Sequence, residues 1–362
     1  MFSSSLLLGA PAALSLLIST AQAVAPARRA TTCNGYAELC DRSFGNITFV
    51  GAHDSYAVGV GKTAANQDYD ITQQLNDGIR MLQVQAHNKD GTIELCHSSC
   101  SLLDGGSLQD YLGTLKSWLD SNTNDVVSLL IVNNDDLPAS QFGSVFSAAG
   151  LESLSYSPSA SSLTASEWPT LGSLIDNGTR LLTFMDFKAD FTSVPYIIDE
   201  FSNIWETAYD VTDTTFDCAV NRSSGDTSTS MYLINHFLDK TTTLLGTTIF
   251  TPDTSALNTT NGVSGTGALG TQVSTCAAEY GRNPNFMLVD YYEYGNGSVF
   301  EVAATANGVT YSPTSAIATP KSTSSSTTAA ASSAMKPMIS TAAALSLFAT
   351  ASGVLLGGAL VL

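Results

Sequence analysis

The sequence predicts an α/β domain built on a parallel sheet, either a (β/α) barrel or a doubly wound sheet. Three observations lead there. Seven short apolar runs read as strands, separated by helix-like stretches or long polar loops, the rhythm of parallel α/β folds. No GxGxxG or P-loop pattern follows any of these runs, which counts against a nucleotide-binding sheet. The chain has four histidines, His53, His87, His97 and His236, and each comes soon after a strand-like run. In α/β folds ligands bind at the ends of strands.

Taken in order, Ile47–Val50 is β-branched and aromatic and is stopped by Gly51, so it reads as a buried strand. Ile71–Leu75 is a short helical turn. Ile79–Ala86 alternates apolar and polar residues, and Thr92–His97 is a further strand. Leu108, Tyr111, Leu112, Leu115 and Leu119 recur at helical spacing, which predicts an amphipathic helix. Val126–Val132 is almost continuously apolar, as expected for the middle of a parallel sheet. Gln141–Ala149 is a weak helix, Leu181–Phe187 a strand and Phe201–Tyr209 a helix. Met231–Phe237 and Phe286–Tyr291 complete the strands.

Both ends read as processing signals. Residues 1–23 hold an apolar core followed by Ala21-Gln22-Ala23, the pattern of a cleaved signal peptide. Residues 24–312 form the domain. Ser/Thr/Ala/Pro composition replaces periodicity at 313–333, which predicts a stalk. Residues 334–362 end in an uncharged apolar tail, the layout of a GPI-anchor signal, with a C-terminal transmembrane helix as the alternative. The expected location is therefore the outside of the cell, anchored at its surface.

Composition agrees. The formal net charge is −18 and charged residues are only 13 %. Such a field repels nucleic acid and anionic surfaces. Six cysteines in an exported chain imply disulfides. Sequence proximity favours Cys33–Cys40 and Cys96–Cys100, leaving Cys218–Cys276. Sequons at Asn46, Asn177, Asn221, Asn258 and Asn296 fit export and glycosylation.

The chemistry gathers around Gly51-Ala52-His53-Asp54-Ser55, Leu95-Cys96-His97 and Leu288-Val289-Asp290-Tyr291. Two histidines at strand ends are the minimal kit for cleaving a phosphodiester. One imidazole removes a proton from the attacking hydroxyl and the other protonates the leaving oxygen. A neighbouring carboxylate sets the tautomer and pKa of each.

These segments, with Gly78–Gln85, resemble the phosphatidylinositol-specific phospholipase C X-domain family in order and spacing, over about residues 44–135 plus the late strand. The resemblance implies an incomplete TIM-type (β/α) barrel with its site at the C-terminal strand ends. It implies His53 as general base, His97 as general acid, Asp290 orienting His53 and Asp54 supporting the acid side. It also implies attack by an inositol hydroxyl on phosphorus, giving a cyclic phosphate and diacylglycerol.

Departures from the family pattern matter. Animal-type members hold calcium with acids where this chain has Gln83, Gln85 and Asn133, and neutral amides are poor ligands for a hard dication. No metal and no cofactor is therefore expected. Bacterial metal-free members carry an arginine where Gln85 stands. Lys188 is the residue expected to supply the missing charge, and Gln83, Gln85, Asn133, Lys188 and His236 are the expected substrate contacts. The function expected is a cell-surface phosphoric diester hydrolase, metal-independent and monomeric, acting on a phosphoinositide or related lipid head group. The alternative is a catalytically weakened barrel that binds lipid head groups or wall glycans.

Overall fold

A strand that sits in the middle of a sheet must bury both its faces, and the first strand, β1 (Phe49–Ala52), is buried at every residue. In the computed structural model, which describes residue 1 and residues 29–244 and 247–322, the chain alternates strands and helices around it. After β1 come α1 (Ile71–Asp77), β2 (Met81–Lys89), β3 (Thr92–Cys96), β4 (Asp104–Ser107), α2 (Leu108–Ser121) and β5 (Val127–Asn133). There follow α3 (Ala139–Ala148), α4 (Leu171–Asn177), β6 (Leu181–Met185), β7 (Ile197–Asp199), β8 (Ile204–Glu206) and β9 (Met231–Asn235). The last elements are β10 (Asp239–Leu244), β11 (Thr247–Pro252), α5 (Leu257–Thr260), α6 (Leu269–Tyr280), β12 (Phe286–Val289) and α7 (Ser298–Ala306).

Eight strands pair in the order β7-β6-β5-β2-β1-β12-β9-β8, every pair parallel. β7 and β8 are the two open edges, so the barrel is incomplete, as the resemblance implied. Side chains alternate across each strand, and this splits the core in two. Phe49, Met81, Leu130, Leu233 and Leu288 fill the barrel. Val50, Leu82, Val84, Leu129 and Val289 face outward against helix residues such as Leu112 and Leu115.

β3 and β4 lie off this path. β3 runs antiparallel to the long end of β2, pairing Leu95 with Ala86. That turn back carries His97 to the level of Gln85. Helix starts follow local chemistry where a cap is present: Asp70, Ser107 and Thr170 each accept a backbone N–H in the first turn of α1, α2 and α4, satisfying a donor the helix cannot. The disulfides are Cys33–Cys40, Cys96–Cys100 and Cys218–Cys276, the pairs proximity favoured. All five sequon asparagines are exposed.

Two expectations need correction. The helix expected at Phe201–Tyr209 is a turn followed by β8, whose three residues are all buried. A helix would expose one face there, whereas consecutive burial suits a strand covered on both sides. β7 and β8 are three residues each, too short to show a period. Segment 313–322 was expected to begin the stalk but lies along the barrel. Lys321 N–H donates to Asp68 Oδ2 at 2.7 Å, its ammonium to the Asp68 carbonyl at 2.6 Å, and Ala318 N–H to Asp77 Oδ2 at 3.2 Å. The expected signal peptide, beyond residue 1, and the expected anchor signal at 334–362 lie outside the described residues.

Candidate active site

The C-terminal ends of the strands surround a cleft of about 760 Å³. His53 stands at the end of β1, with its backbone N–H donating to the Val289 carbonyl at 3.0 Å. Its Nδ1 lies 2.9 Å from Asp290 Oδ1. Asn66 Nδ2 reaches the same oxygen at 3.1 Å. Nδ1–H and the Asn66 amide are therefore both donors to Asp290, and Nε2 is left facing the cleft. Phe237 lies flat on the imidazole, 3.8 Å between ring centres and 4° between planes.

Asp54 is fully buried and has a left-handed backbone (φ 40°). Its N–H donates to Gln83 Oε1 at 2.6 Å, and its Oδ2 accepts Gln85 Nε2 at 2.8 Å. The same Oδ2 lies 3.3 Å from His97 Nε2 and 3.8 Å from His53 Nε2. One carboxylate oxygen thus sits between two imidazoles. Gln85 completes the link, since its Oε1 accepts the Ser98 N–H at 3.2 Å.

The electrostatics follow from burial and neighbours. Burial opposes charge on His53, but Asp54 and Asp290 outweigh it and raise its pKa to about 9. Burial raises the pKa of Asp54, and the two imidazoles draw it back only in part. Asp239, on the cleft wall, is raised to about 8 by burial, with Asp290 adding to it.

The far wall supplies the cation. Arg222 Nε donates to Glu206 Oε2 at 2.9 Å, and its guanidinium lies 4.5 Å from the Tyr209 ring centre and 5.2 Å from that of Phe201. Arg222 is the one lysine or arginine among the described lining residues. Nothing in the sequence singled it out, because it sits alone in a polar loop.

The structure brings His53, Asp54, His97, Asp290, Gln83 and Gln85 together with Asn133 on the same cleft, and separates Lys188 and His236. Lys188 is exposed on a left-handed turn (φ 65°), and Phe187 lines the cleft instead. His236 points away from the cleft. Strand alternation turns Asn235 and Phe237 inward and His236 outward, where Nδ1 meets Gln272 Oε1 at 2.6 Å and Nε2 the Thr260 carbonyl at 2.8 Å. Burial lowers its pKa to about 4. Asn133 is on the cleft, but its amide is spent on the backbone of Leu137 and Phe187, so it pins loops. His87 is outside the lining, 3.6 Å from Asp135. Asn66 and Phe237 were missed. Alternation along β9 was a signal that would have found Phe237. Among the described residues, no group of three or more His, Cys, Asp or Glu has the geometry to hold a metal ion.

An open eight-stranded parallel barrel with two imidazoles at its C-terminal end defines a TIM-barrel-type protein. The chain matches the PI-PLC X family model (PI-PLC X 1) over residues 39–307 and belongs to that family. It is 42 % identical over 299 residues to a PI-PLC X domain-containing protein 1 of Arthroderma benhamiae, covering 81 % of this chain and 95 % of the relative. It is 49 % identical over 286 residues to an uncharacterized secreted protein of the same fungus, covering 77 % of this chain and 65 % of the relative's length. The fold resembles a double mutant of the phosphatidylinositol-specific phospholipase C from Staphylococcus aureus (TM-score 0.50, 15 % identity, 76 % of this chain and 96 % of that one). Family membership supports a phosphodiesterase-type function, and the secreted relative supports export.

Proposed function

We propose that this chain is an exported phosphoric diester hydrolase that cleaves a phosphoinositide or related phosphodiester with His53 as base and His97 as acid. The observation that carries the reading is the buried Asp54 Oδ2 placed between the two imidazole Nε2 atoms. Neutral His53 takes the proton of a substrate hydroxyl on Nε2, while Nδ1–H stays on Asp290. The freed oxygen bonds to phosphorus, and the bond from phosphorus to the leaving oxygen breaks as His97 gives that oxygen its proton. A cyclic phosphate and an alcohol, diacylglycerol for a phosphoinositide, leave. Arg222 faces the head group from the far wall, and Gln83 lines the cleft near the reacting centre.

The acid–base route as written uses no metal. Phosphorus NMR of phosphatidylinositol turnover is expected to give a cyclic phosphate at the same rate with and without a chelator. A chelator-sensitive rate, or an acyclic phosphate formed without passing through the cyclic ester, sinks this mechanism. The sequence of the tail extends the reading to a GPI-anchored surface protein. Detergent-phase partition of the mature protein, lost on truncation before residue 334, tests that step.

The binding-only reading keeps one specific observation in its favour. Gln85 is neutral and engaged by Asp54, and the Arg222 charge is offset by Glu206, so neither brings a free positive charge to the phosphate. Head-group binding with no turnover across a panel of diesters supports that reading over the hydrolase.

A further inference from the structure

His97 is the one member of the proposed acid–base set that stands off the eight-strand path. It lies in Cys96-His97-Ser98-Ser99-Cys100, a segment whose two ends are joined by a disulfide. Inside this ring Ser98 has a left-handed backbone (φ 57°), which a β-carbon disfavours. Such a conformation persists where the surroundings over-determine it. Here the covalent closure does so, with Ser99 N–H donating to the His97 carbonyl at 2.6 Å and Ser98 N–H to Gln85 Oε1 at 3.2 Å.

Apart from the His97 N–H donating to the Leu103 carbonyl at 3.2 Å, little else orients the imidazole. His97 Nδ1 is buried without a hydrogen-bond partner among the described residues. Nε2 has Asp54 Oδ2 at 3.3 Å. The other two disulfides touch no site residue. The Cys33–Cys40 loop lies at the opposite end of the barrel, where Asn34 N–H donates to the Asn124 carbonyl just before β5. Cys218–Cys276 ties α6 to the loop after β8.

We propose that the Cys96–Cys100 disulfide is a positioning device for the general acid, holding His97 Nε2 where Asp54 and the leaving oxygen meet. The inference rests on the phosphodiesterase reading above. Proton transfer to the leaving group then depends on this bond, while substrate binding and the base step do not.

Leaving-group chemistry separates these roles. An alkoxide leaves only when protonated, whereas a nitrophenolate departs unaided. The full chain with Cys96→Ser/Cys100→Ser is assayed on two inositol phosphodiesters, one releasing diacylglycerol and one releasing p-nitrophenol. The expected loss in kcat is about 100-fold on the first and no more than about threefold on the second, with KM unchanged on both. Cys33→Ser/Cys40→Ser is expected to match wild type on both substrates. A second arm needs no variant. Cys100 is half-buried, and the cysteines of the other two bonds are all buried, so a water-soluble phosphine reaches this disulfide first. The phosphine takes oxygen from water to become its oxide, and the disulfide becomes two thiols, which are alkylated. The same split between substrates is expected. Equal losses on both substrates, or none, overturn the proposal. A wild type that turns over neither substrate overturns the phosphodiesterase reading, and this proposal with it.

Discussion

The two imidazoles are held in place by opposite means. His53 is locked by the fold: Asp290 follows β12, Asn66 lies in the loop after β1 and Phe237 follows β9, and all three meet its ring. His97 is locked by its own chain: a five-residue disulfide ring carries it, and one carboxylate oxygen faces it. Non-local packing can fix a ring in a plane only where several elements converge, as they do at the end of a central strand. A residue on an outlying hairpin lacks those neighbours, and a covalent closure replaces them. The base side therefore depends on many residues far apart in sequence, and the acid side on few residues close together.

The largest expected effect breaks the comparison at its centre. His53→Ala and His97→Ala are each expected to lower kcat on a diacylglycerol-releasing substrate by roughly 100- to 10,000-fold, the range for a positioned acid or base. Only His97→Ala is expected to recover on the nitrophenol-releasing substrate, because only the acid serves the leaving group. Recovery of His53→Ala, or of neither, assigns the roles wrongly.

Asp290→Asn probes the base side alone. His53 acts as base only when neutral, and its pKa is about 9 because Asp54 and Asp290 together outweigh burial. Activity is therefore expected to rise with pH into the alkaline range. Removing the Asp290 charge favours the neutral ring, so the acidic limb of kcat/KM moves down toward the ordinary value of 6.5. The maximal rate falls at the same time, because Nδ1–H loses its strongest acceptor. A limb that stays put separates the pKa of His53 from Asp290.

The same contrast explains what the sequence could reveal. Segments that specify themselves locally were legible: the apolar runs of β1, β2, β5, β6, β9 and β12, the three short motifs, and the cysteine pairs. The Cys96–Cys100 segment that carries His97, compact in sequence, was visible almost whole. What escaped depends on distant contacts or weak local signals. Arg222 gains its place from Glu206 across a loop, and Asn66 from Asp290. α6 begins at Ala268 without a side-chain cap and is rich in Thr, Ser and Gly, so its helical period is faint. Lys188 and His236 were read from their distance to a strand end. Neither the turn at Lys188 nor the outward parity of His236 follows from that distance.

The smallest expected effect concerns neither imidazole alone but the chain's buried acids. Asp54, Asp186, Glu200, Asp210, Asp239 and Glu293 all have raised pKa values, with burial the leading cause in each. Asp239 and Glu293 reach about 8. Each binds a proton in the folded chain at pH values where the unfolded carboxyl has lost it. Stability therefore falls as pH rises from the ordinary carboxyl range toward 8. His53 adds to the trend with the same sign: its stabilising charge is fully present below its ordinary value of 6.5 and lost as pH rises through about 9. The thermal midpoint is thus expected to be several degrees higher at pH 5 than at pH 8.5. Asp239→Asn is expected to flatten the slope, since a neutral amide carries no proton to lose. A midpoint that rises with pH instead means that these carboxyls are ionised in the folded protein.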